Sequence, residues 1–366
     1  MRELGQRLVA CRREAGLSAE ELAEKARVPL GMLESFEKGV AAPIGVAALS
    51  RVAKVLGVSP GSLFVASCPK ERAYTEPTVL LKTAGTADLS DADRDALASA
   101  LVRARAFVQA GRLLGVEQLA DRFAPSPSPA ERPHEAGYRA AREARALLPE
   151  RPTELRGLAR LIENRFDILV IEHAFRDSRV FGASCRSGAA RVIAVARAMR
   201  KRTEATRRFV LGHELGHHLM DLGPEGATID EHLLDGAGFW MENAPEEKRA
   251  NAFAAMFLAP ESSVFKVLGH PNPVGYGLDD ARQLVRRARE VFGVGFAGMA
   301  WHLHNLGYIR APETIRALLV EADTGEVQRF ESDDEHDGLA RRIYELRERE
   351  GISAARAREL LGPASS

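Results

Sequence analysis

Arg207-Arg208-Phe209-Val210-Leu211-Gly212-His213-Glu214-Leu215-Gly216-His217-His218-Leu219-Met220 is the stretch on which the reading of this chain turns. Phe209, Val210, Leu211, Leu215, Leu219 and Met220 recur at helical spacing, which predicts an α-helix with a buried face. Positions i and i+4 of a helix lie on one face, so His213 and His217 can offer two imidazoles to a single metal ion. Glu214 stands beside the first, where a carboxylate can meet a metal-bound water. Two nitrogen ligands, a general base and an open coordination position form the donor set of a catalytic zinc site. His218 faces away from His213 by the same spacing and is left out. Gly216 costs about 1 kcal/mol relative to Ala within a helix, and such a glycine commonly serves close packing. A core helix without metal would show the same periodicity, so the surrounding sequence has to decide.

The chain has 366 residues, 45% of them hydrophobic, with zero formal net charge. About two or three domains are expected at this length. The charge balance argues for neither nucleic acid nor membrane. Cys11, Cys68 and Cys185 are widely spaced and form neither a disulfide framework nor a Cys-x-x-Cys site. Met1 is followed by a charged amphipathic segment instead of an apolar signal core. No run approaches the roughly 18 apolar residues of a membrane span. A cytoplasmic protein with no membrane partner is expected.

Upstream of the histidine helix, Ala136 to Leu147 and Leu155 to Arg165 are expected helices. Asp167–Glu172, Arg179–Ser184 and Arg191–Val195 are expected strands. A small sheet that feeds a metal-binding helix suits a peptidase, because an extended substrate can pair with the sheet edge. Two histidines make a poor catalytic zinc site, so a third ligand is needed. Glu246-Glu247-Lys248-Arg249-Ala250-Asn251-Ala252-Phe253-Ala254-Ala255-Met256-Phe257-Leu258-Ala259-Pro260 is strongly helical and ends at a proline. Glu247, Ala250 and Ala254 share a face, with Asn251 beside them. The small residues would let this helix approach the histidine helix and bring Glu247 to the metal. Taken alone, a solvated Glu-Glu-Lys-Arg face explains the segment equally well.

Taken together, Arg-Phe-x-x-x-His-Glu-Leu-Gly-His and Glu-x-x-Ala-Asn-x-Phe-Ala-Ala-x-x-Leu-x-Pro resemble the ImmA/IrrE family of metallopeptidases. The helix at Gly137–Leu147, the Leu161-Ile162-Glu163 segment and Val291–Ile309 fit the same pattern, so the likeness spans residues 136–310. The resemblance implies that His213, His217 and Glu247 bind zinc, or manganese in its place, and that Glu214 is the catalytic base. Arg249 stands where the family often has Glu before Ala-Asn, and Glu246 is a fallback ligand. Gly212 stands where the family often has Ala. The implied chemistry is peptide hydrolysis: the metal acidifies water, and Glu214 takes its proton and passes it to the leaving amine. His232, His302, His304, Tyr276 and Tyr308 are candidates for stabilising the oxyanion.

Residues 1–65 form a separate reading. Ser18 caps Ala19–Ala26, Val28-Pro29 turns into Leu30–Glu37, Val46–Leu56 is a further helix, and Ser59-Pro60 opens a last short one. Leu4 to Ala15 is an amphipathic helix. With Leu33-Glu34-Ser35-Phe36-Glu37-Lys38-Gly39 and Leu56-Gly57-Val58-Ser59-Pro60, this order resembles a Cro/CI-type (XRE) helix-turn-helix domain, with its recognition helix at Pro29–Glu37. Arg12, Arg13, Lys25, Arg27 and Lys38 can reach DNA phosphates. Leu30, Gly31 and Met32 offer base edges no donor or acceptor. Nine Lys/Arg against seven Asp/Glu leave this region a weak electrostatic footprint. Use of the fold for protein contact or dimerisation is the competing reading.

The expected fold class is α+β and mainly helical. It comprises an all-α helix-turn-helix domain at 1–65, a helical spacer with a Pro-rich linker at 66–135, a zincin-like domain with a small sheet at 136–310, and a helical tail at 311–366. The helix expected within Asp88–Leu119 and the tail helices offer surfaces for a homodimer. The fusion implies a protease that regulates transcription by cleaving a helix-turn-helix repressor in a stress or mobile-element response. The competing class is a non-proteolytic DNA-binding regulator that uses the protease-like domain as a metal or ligand sensor. Intact Glu214 argues against it, since a purely structural metal has no use for that carboxylate.

Overall fold

The computed structural model describes residues 8–9, 12–13, 17–38, 46–56, 89–116, 119–123, 131–148, 155–201, 203–223, 225–230, 244–320, 337–349, 352–353, 357 and 361. The expected short helix after Ser59, the Pro-rich linker, His232 and the acidic run at 331–336 lie outside them, as does most of the helix expected at Leu4–Ala15. The chain divides into two compact units, Met1–Tyr74 and Thr75–Ser366.

In the first unit, α1 (Ala19–Ala26), α2 (Leu30–Glu37) and α3 (Val46–Val55) surround a small core. Ser18 caps α1 in a full capping box: its hydroxyl accepts from Glu21 N–H, and the Glu21 carboxylate accepts from Ser18 N–H at 2.7 Å. Arg27 ends α1 in the left-handed conformation, φ 52°, which sets up the tight turn into α2. Leu8, Leu22, Leu33, Phe36 and Val52 fill the centre.

The second unit begins with α4 (Asp91–Leu114), α5 (Leu119–Arg122) and α6 (Pro133–Ala146). A single turn, α7 (Leu158–Leu161), follows and passes into a π-helical turn at Ile162–Phe166. This is shorter than the helix expected from Leu155, because Gly157 adopts a left-handed φ of 55° and delays the start. Strands β1 (Leu169–His173), β2 (Gly182–Ser187) and β3 (Ala190–Ala196) lead to α8 (Glu204–Met220), the histidine helix. β2 starts later than expected, since Asp177 binds the Arg179 backbone and guanidinium in a turn. A fourth strand, β4 (Glu225–Asp230), was not anticipated. Then come α9 (Pro245–Leu258), α10 (Glu261–Leu268), α11 (Leu278–Phe292), α12 (Phe296–Asn305), α13 (Pro312–Val320) and α14 (Gly338–Glu348).

The sheet is mixed, in the order β1-β3-β2-β4, with β1 and β3 parallel and the other pairs antiparallel. Both faces are covered, which explains why all seven residues of β3 are buried. Val170, Ile193 and Val195 join the core beneath α8 and α9. Leu169, Ala183, Cys185, Val192 and Ala194 join a second core with Leu97, Leu101, Ala104 and Phe107 of α4 and Leu339 and Ile343 of α14. The stretch read as a spacer therefore holds a packing layer of the second unit, and so does the C-terminal tail. The apolar face of α4 would be exposed if it stood apart from the sheet.

A buried guanidinium fastens α14. Arg342 donates to Phe107 O at 2.9 Å, to Asp167 Oδ1 at 2.5 Å and to Glu163 O at 2.6 Å, and lies 3.4 Å above the Phe107 ring.

Candidate metal centre

Strand alternation delivers the first part of the site. Ala183 and Cys185 point to the α4 side, so Gly182 and Ser184 point to α8. Ser184 Oγ donates to Glu214 Oε2 at 2.5 Å and to Glu214 O at 3.3 Å. Gly182 has a different role: a Cβ there would overlap Glu214 Oε1 and lie 2.8 Å from its carboxyl carbon. The carboxylate therefore sits in a notch made by a missing side chain and an adjacent hydroxyl.

Two further glycines bring the second helix close. A Cβ on Gly212 would lie 3.3 Å from Ala254 Cβ, and one on Gly216 would lie 3.2 Å from Ala250 Cα. Gly212, Gly216, Ala250 and Ala254 thus let α8 and α9 pack almost backbone to backbone. That proximity carries Glu247, in the first turn of α9, to the histidines. His213 Nε2 is 3.2 Å from Glu247 Oε2, and His217 Nε2 is 3.3 Å from Glu247 Oε1. The two imidazole Nε2 atoms are 2.9 Å apart. One donor atom from each of the three residues lies within 4.8 Å of the others. Glu246 is exposed and falls outside this cluster.

The outer ring nitrogens explain why these atoms face one another. His213 Nδ1–H donates to Asn251 Oδ1 at 2.7 Å, and His217 Nδ1–H donates to Asp221 Oδ2 at 2.9 Å. Both Nε2 atoms then carry lone pairs into the shared space, where they meet a carboxylate. Three lone-pair donors converging in a buried site could hold a metal ion between them. The set suits zinc: two imidazoles and one carboxylate, with room for a fourth ligand. His213 and His217 are 1% and 0% exposed, against 22% for Glu247, so the centre opens on the Glu247 side.

Other candidates do different work. His218 Nε2–H donates to Val192 O at 2.8 Å, and burial lowers its pKa to about 3, so it is a neutral tie from α8 to β3. His302 accepts from Tyr138 OH at 2.6 Å and donates to Ala259 O at 2.8 Å; burial lowers its pKa to about 4. His304 Nδ1 donates to Ile309 O at 2.5 Å, Tyr308 donates to Gly269 O, and Tyr276 stacks on Tyr308. These four hold the helical layer after α9 together. The Cys185 thiol is free and fully buried, and burial raises its pKa.

Two family models match parts of the chain. The Helix-turn-helix domain model matches residues 3–63, and the IrrE N-terminal-like domain model, a peptidase family, matches residues 163–296. The chain joins a helix-turn-helix domain to an IrrE-like peptidase domain. The second match contains β1 to β4, the histidine helix and Glu247, while α4, α6 and α14 lie outside it. A comparison with curated proteins finds no match.

In the helix-turn-helix domain, the five cations differ. Arg12 donates through Nε and Nη2 to the two oxygens of Glu37, each at 2.8 Å, and through Nη1 to Leu17 O at 3.1 Å. Its side chain is 14% exposed and that of Glu37 is 8% exposed. Arg12 is therefore an internal brace from the chain before α1 to the end of α2. Arg13, Lys25, Arg27 and Lys38 are exposed, and Lys38 lies 3.7 Å from Glu34. Met32 of α2 is also exposed, at 43%.

Sequence reasoning named His213, His217 and Glu247, which the structure brings together, and Glu214 next to His213 in the same helix. It missed Gly182, Ser184, Asp221 and the role of Asn251. Two of these carried a signal. Asp221 lies one helical turn after His217, and Asn251 one turn after Glu247, each at the i+4 spacing that places it on the same face.

Proposed function

We propose that the chain is a metal-dependent endopeptidase that controls transcription by cleaving a helix-turn-helix repressor. The observation that carries this reading is the convergence of His213 Nε2, His217 Nε2 and the Glu247 carboxylate. His213, His217 and Glu247 would hold the metal, zinc or manganese. Bound there, it supplies Lewis acidity towards a carbonyl and acidifies water.

The remaining chemistry belongs to the protein. Ser184 holds one oxygen of Glu214, and the carboxylate seated over Gly182 takes a proton from the water that attacks the peptide carbonyl. Glu214 then returns that proton to the leaving amine of the cleaved peptide bond. Asn251 and Asp221 keep the rings of His213 and His217 in the tautomer with Nδ1 protonated. The open Glu247 side admits an extended segment of a protein substrate.

A helix-turn-helix domain in the same chain supports a role near DNA. Arg13, Lys25, Arg27 and Lys38 would contact phosphates, while the apolar α2 surface favours position over sequence readout. A homodimer and a cytoplasmic setting fit this role; among the described residues no helix is long and apolar enough to cross a membrane.

The test is incubation of the full-length protein with Zn2+ or Mn2+ and helix-turn-helix repressors, including one encoded beside its own gene. Metal-dependent cleavage that Glu214→Gln abolishes is expected. Equal cleavage by both proteins would sink the mechanism. Metal uptake without cleavage of any such repressor would favour the non-proteolytic sensor.

A further inference from the structure

The two histidines are held by unlike partners. Asn251 is a neutral amide on α9 and receives His213 Nδ1–H on Oδ1. Asp221, at the end of α8, serves His217 through Oδ2 and receives Arg249 of α9 on Oδ1, with N–H···O distances of 2.6 and 3.2 Å. The Asp221 and Arg249 side chains are 9% and 18% exposed, so this pair is largely shielded from water. The backbone of Arg249 is also fixed from behind. A Cβ on Gly137 of α6 would collide with the Arg249 carbonyl, so α6 presses directly on this turn of α9.

This arrangement does two things. A carboxylate facing Nδ1–H strengthens the opposite ring nitrogen as a donor and fixes the ring plane. An arginine sharing that carboxylate draws off part of its charge and limits its rotation. Arg249 also lies two residues after Glu247 on the same helix. Its bond to Asp221 therefore pins the turn that carries Glu247 to the end of the helix that carries His217.

We propose that Arg249 is a positioning residue of the metal centre. Through Asp221 it sets the orientation and donor strength of His217, and it fixes the separation of His217 and Glu247. The proposal rests on the metal reading of the site given above.

The experiment measures Zn2+ affinity of the full-length protein by competition with a chromophoric chelator, together with the visible spectrum of the Co2+-loaded protein. Wild type is expected to bind one Zn2+ per chain. Arg249→Gln should bind it about 10–100-fold more weakly, the range typical for loss of a ligand-orienting partner, with an altered Co2+ spectrum. Arg249→Lys, which keeps the charge and one donor, should recover part of the loss. Asp221→Asn should weaken binding to a similar extent, and combining it with Arg249→Gln should add little, as expected of one coupled unit. Wild-type affinity and spectrum in Arg249→Gln would overturn the proposal while leaving the metal reading intact. Absence of Zn2+ uptake by wild type would overturn the metal reading and this proposal with it. Should Arg249→Gln fail to fold, Arg249→Lys and Asp221→Asn carry the same comparison.

Discussion

Replacing Gly182 with alanine adds one methyl group at the point where the account is most exposed. The new Cβ would overlap Glu214 Oε1 and lie 2.8 Å from Glu214 Cδ and 3.1 Å from Cγ. Ordinary contact begins at 3.4 Å, so the carboxyl carbon must retreat by at least 0.6 Å (3.4 minus 2.8), and the oxygen by more. Its 2.5 Å bond from Ser184 would be stretched or broken in the process. The backbone itself tolerates alanine, because Gly182 is not among the positive-φ glycines. A Gly→Ala change at such a position stabilises by about 0.4–1 kcal/mol through the unfolded chain. Overpacking costs about 1–3 kcal/mol, so the net loss of stability should stay below about 3 kcal/mol. None of His213, His217 and Glu247 is touched, so metal affinity should persist. A displaced base costs about 10²-fold for a misplacement near 1 Å, and about 10²–10⁴-fold when its contribution is lost entirely. Peptide cleavage should therefore fall by about two to three orders of magnitude at near-normal Tm and full zinc content. Zinc content, a thermal melt and initial cleavage rates on one preparation decide the matter. Wild-type rates in Gly182→Ala would refute the assignment of Glu214 as base in this position, and loss of zinc would show that the notch serves the metal instead.

Three further outcomes follow from the described contacts. Arg342→Ala leaves Asp167 buried without its guanidinium and should cost about 3–5 kcal/mol, read from urea unfolding of the full chain; a change under 1 kcal/mol would contradict the clamp on α14. His302 has a folded pKa of about 4, pushed down by burial from 6.5. The unfolded chain therefore binds the extra proton between those values, and the stability His302 confers is full above pH 6.5 and drains away as pH falls towards 4; urea midpoints between pH 7 and 4.5 should drop less steeply in His302→Gln, and identical slopes would count against it. Arg12→Ala should speed proteolysis of the N-terminal unit without changing the salt dependence of DNA binding, whereas Arg13→Ala and Lys25→Ala should each reduce the salt slope by about one; a reduced slope for Arg12→Ala would restore it as a phosphate contact.

What was legible in the chain was whatever local periodicity and spacing encode. The i and i+4 histidines, the apolar run around them and the small-residue face of Ala250 and Ala254 each state their geometry in a few consecutive residues. The buried strand β3 was legible for the same reason, as a short apolar run. β4 was missed because Glu225-Gly226-Ala227-Thr228-Ile229-Asp230 shows neither a strong apolar run nor many β-branched residues; pairing with β2 makes it a strand. The docking of α4 and α14 on the sheet was hidden as well. Nothing local in Leu97, Leu101, Ala104 and Phe107 says whether their partner is another chain or a strand some ninety residues away. Gly182 and Ser184 became meaningful only when strand alternation set them opposite Glu214. Arg12 looked like a surface cation because its partner, Glu37, is distant in sequence.

The most direct test of the central claim is X-ray absorption at the zinc edge of the protein loaded with one equivalent of Zn2+. Two imidazole nitrogens and carboxylate oxygen are expected at about 2.0–2.2 Å, with one imidazole lost in His213→Ala and oxygen scattering altered in Glu247→Ala. A sulfur shell, or a spectrum unchanged by both substitutions, would place the metal elsewhere and contradict it.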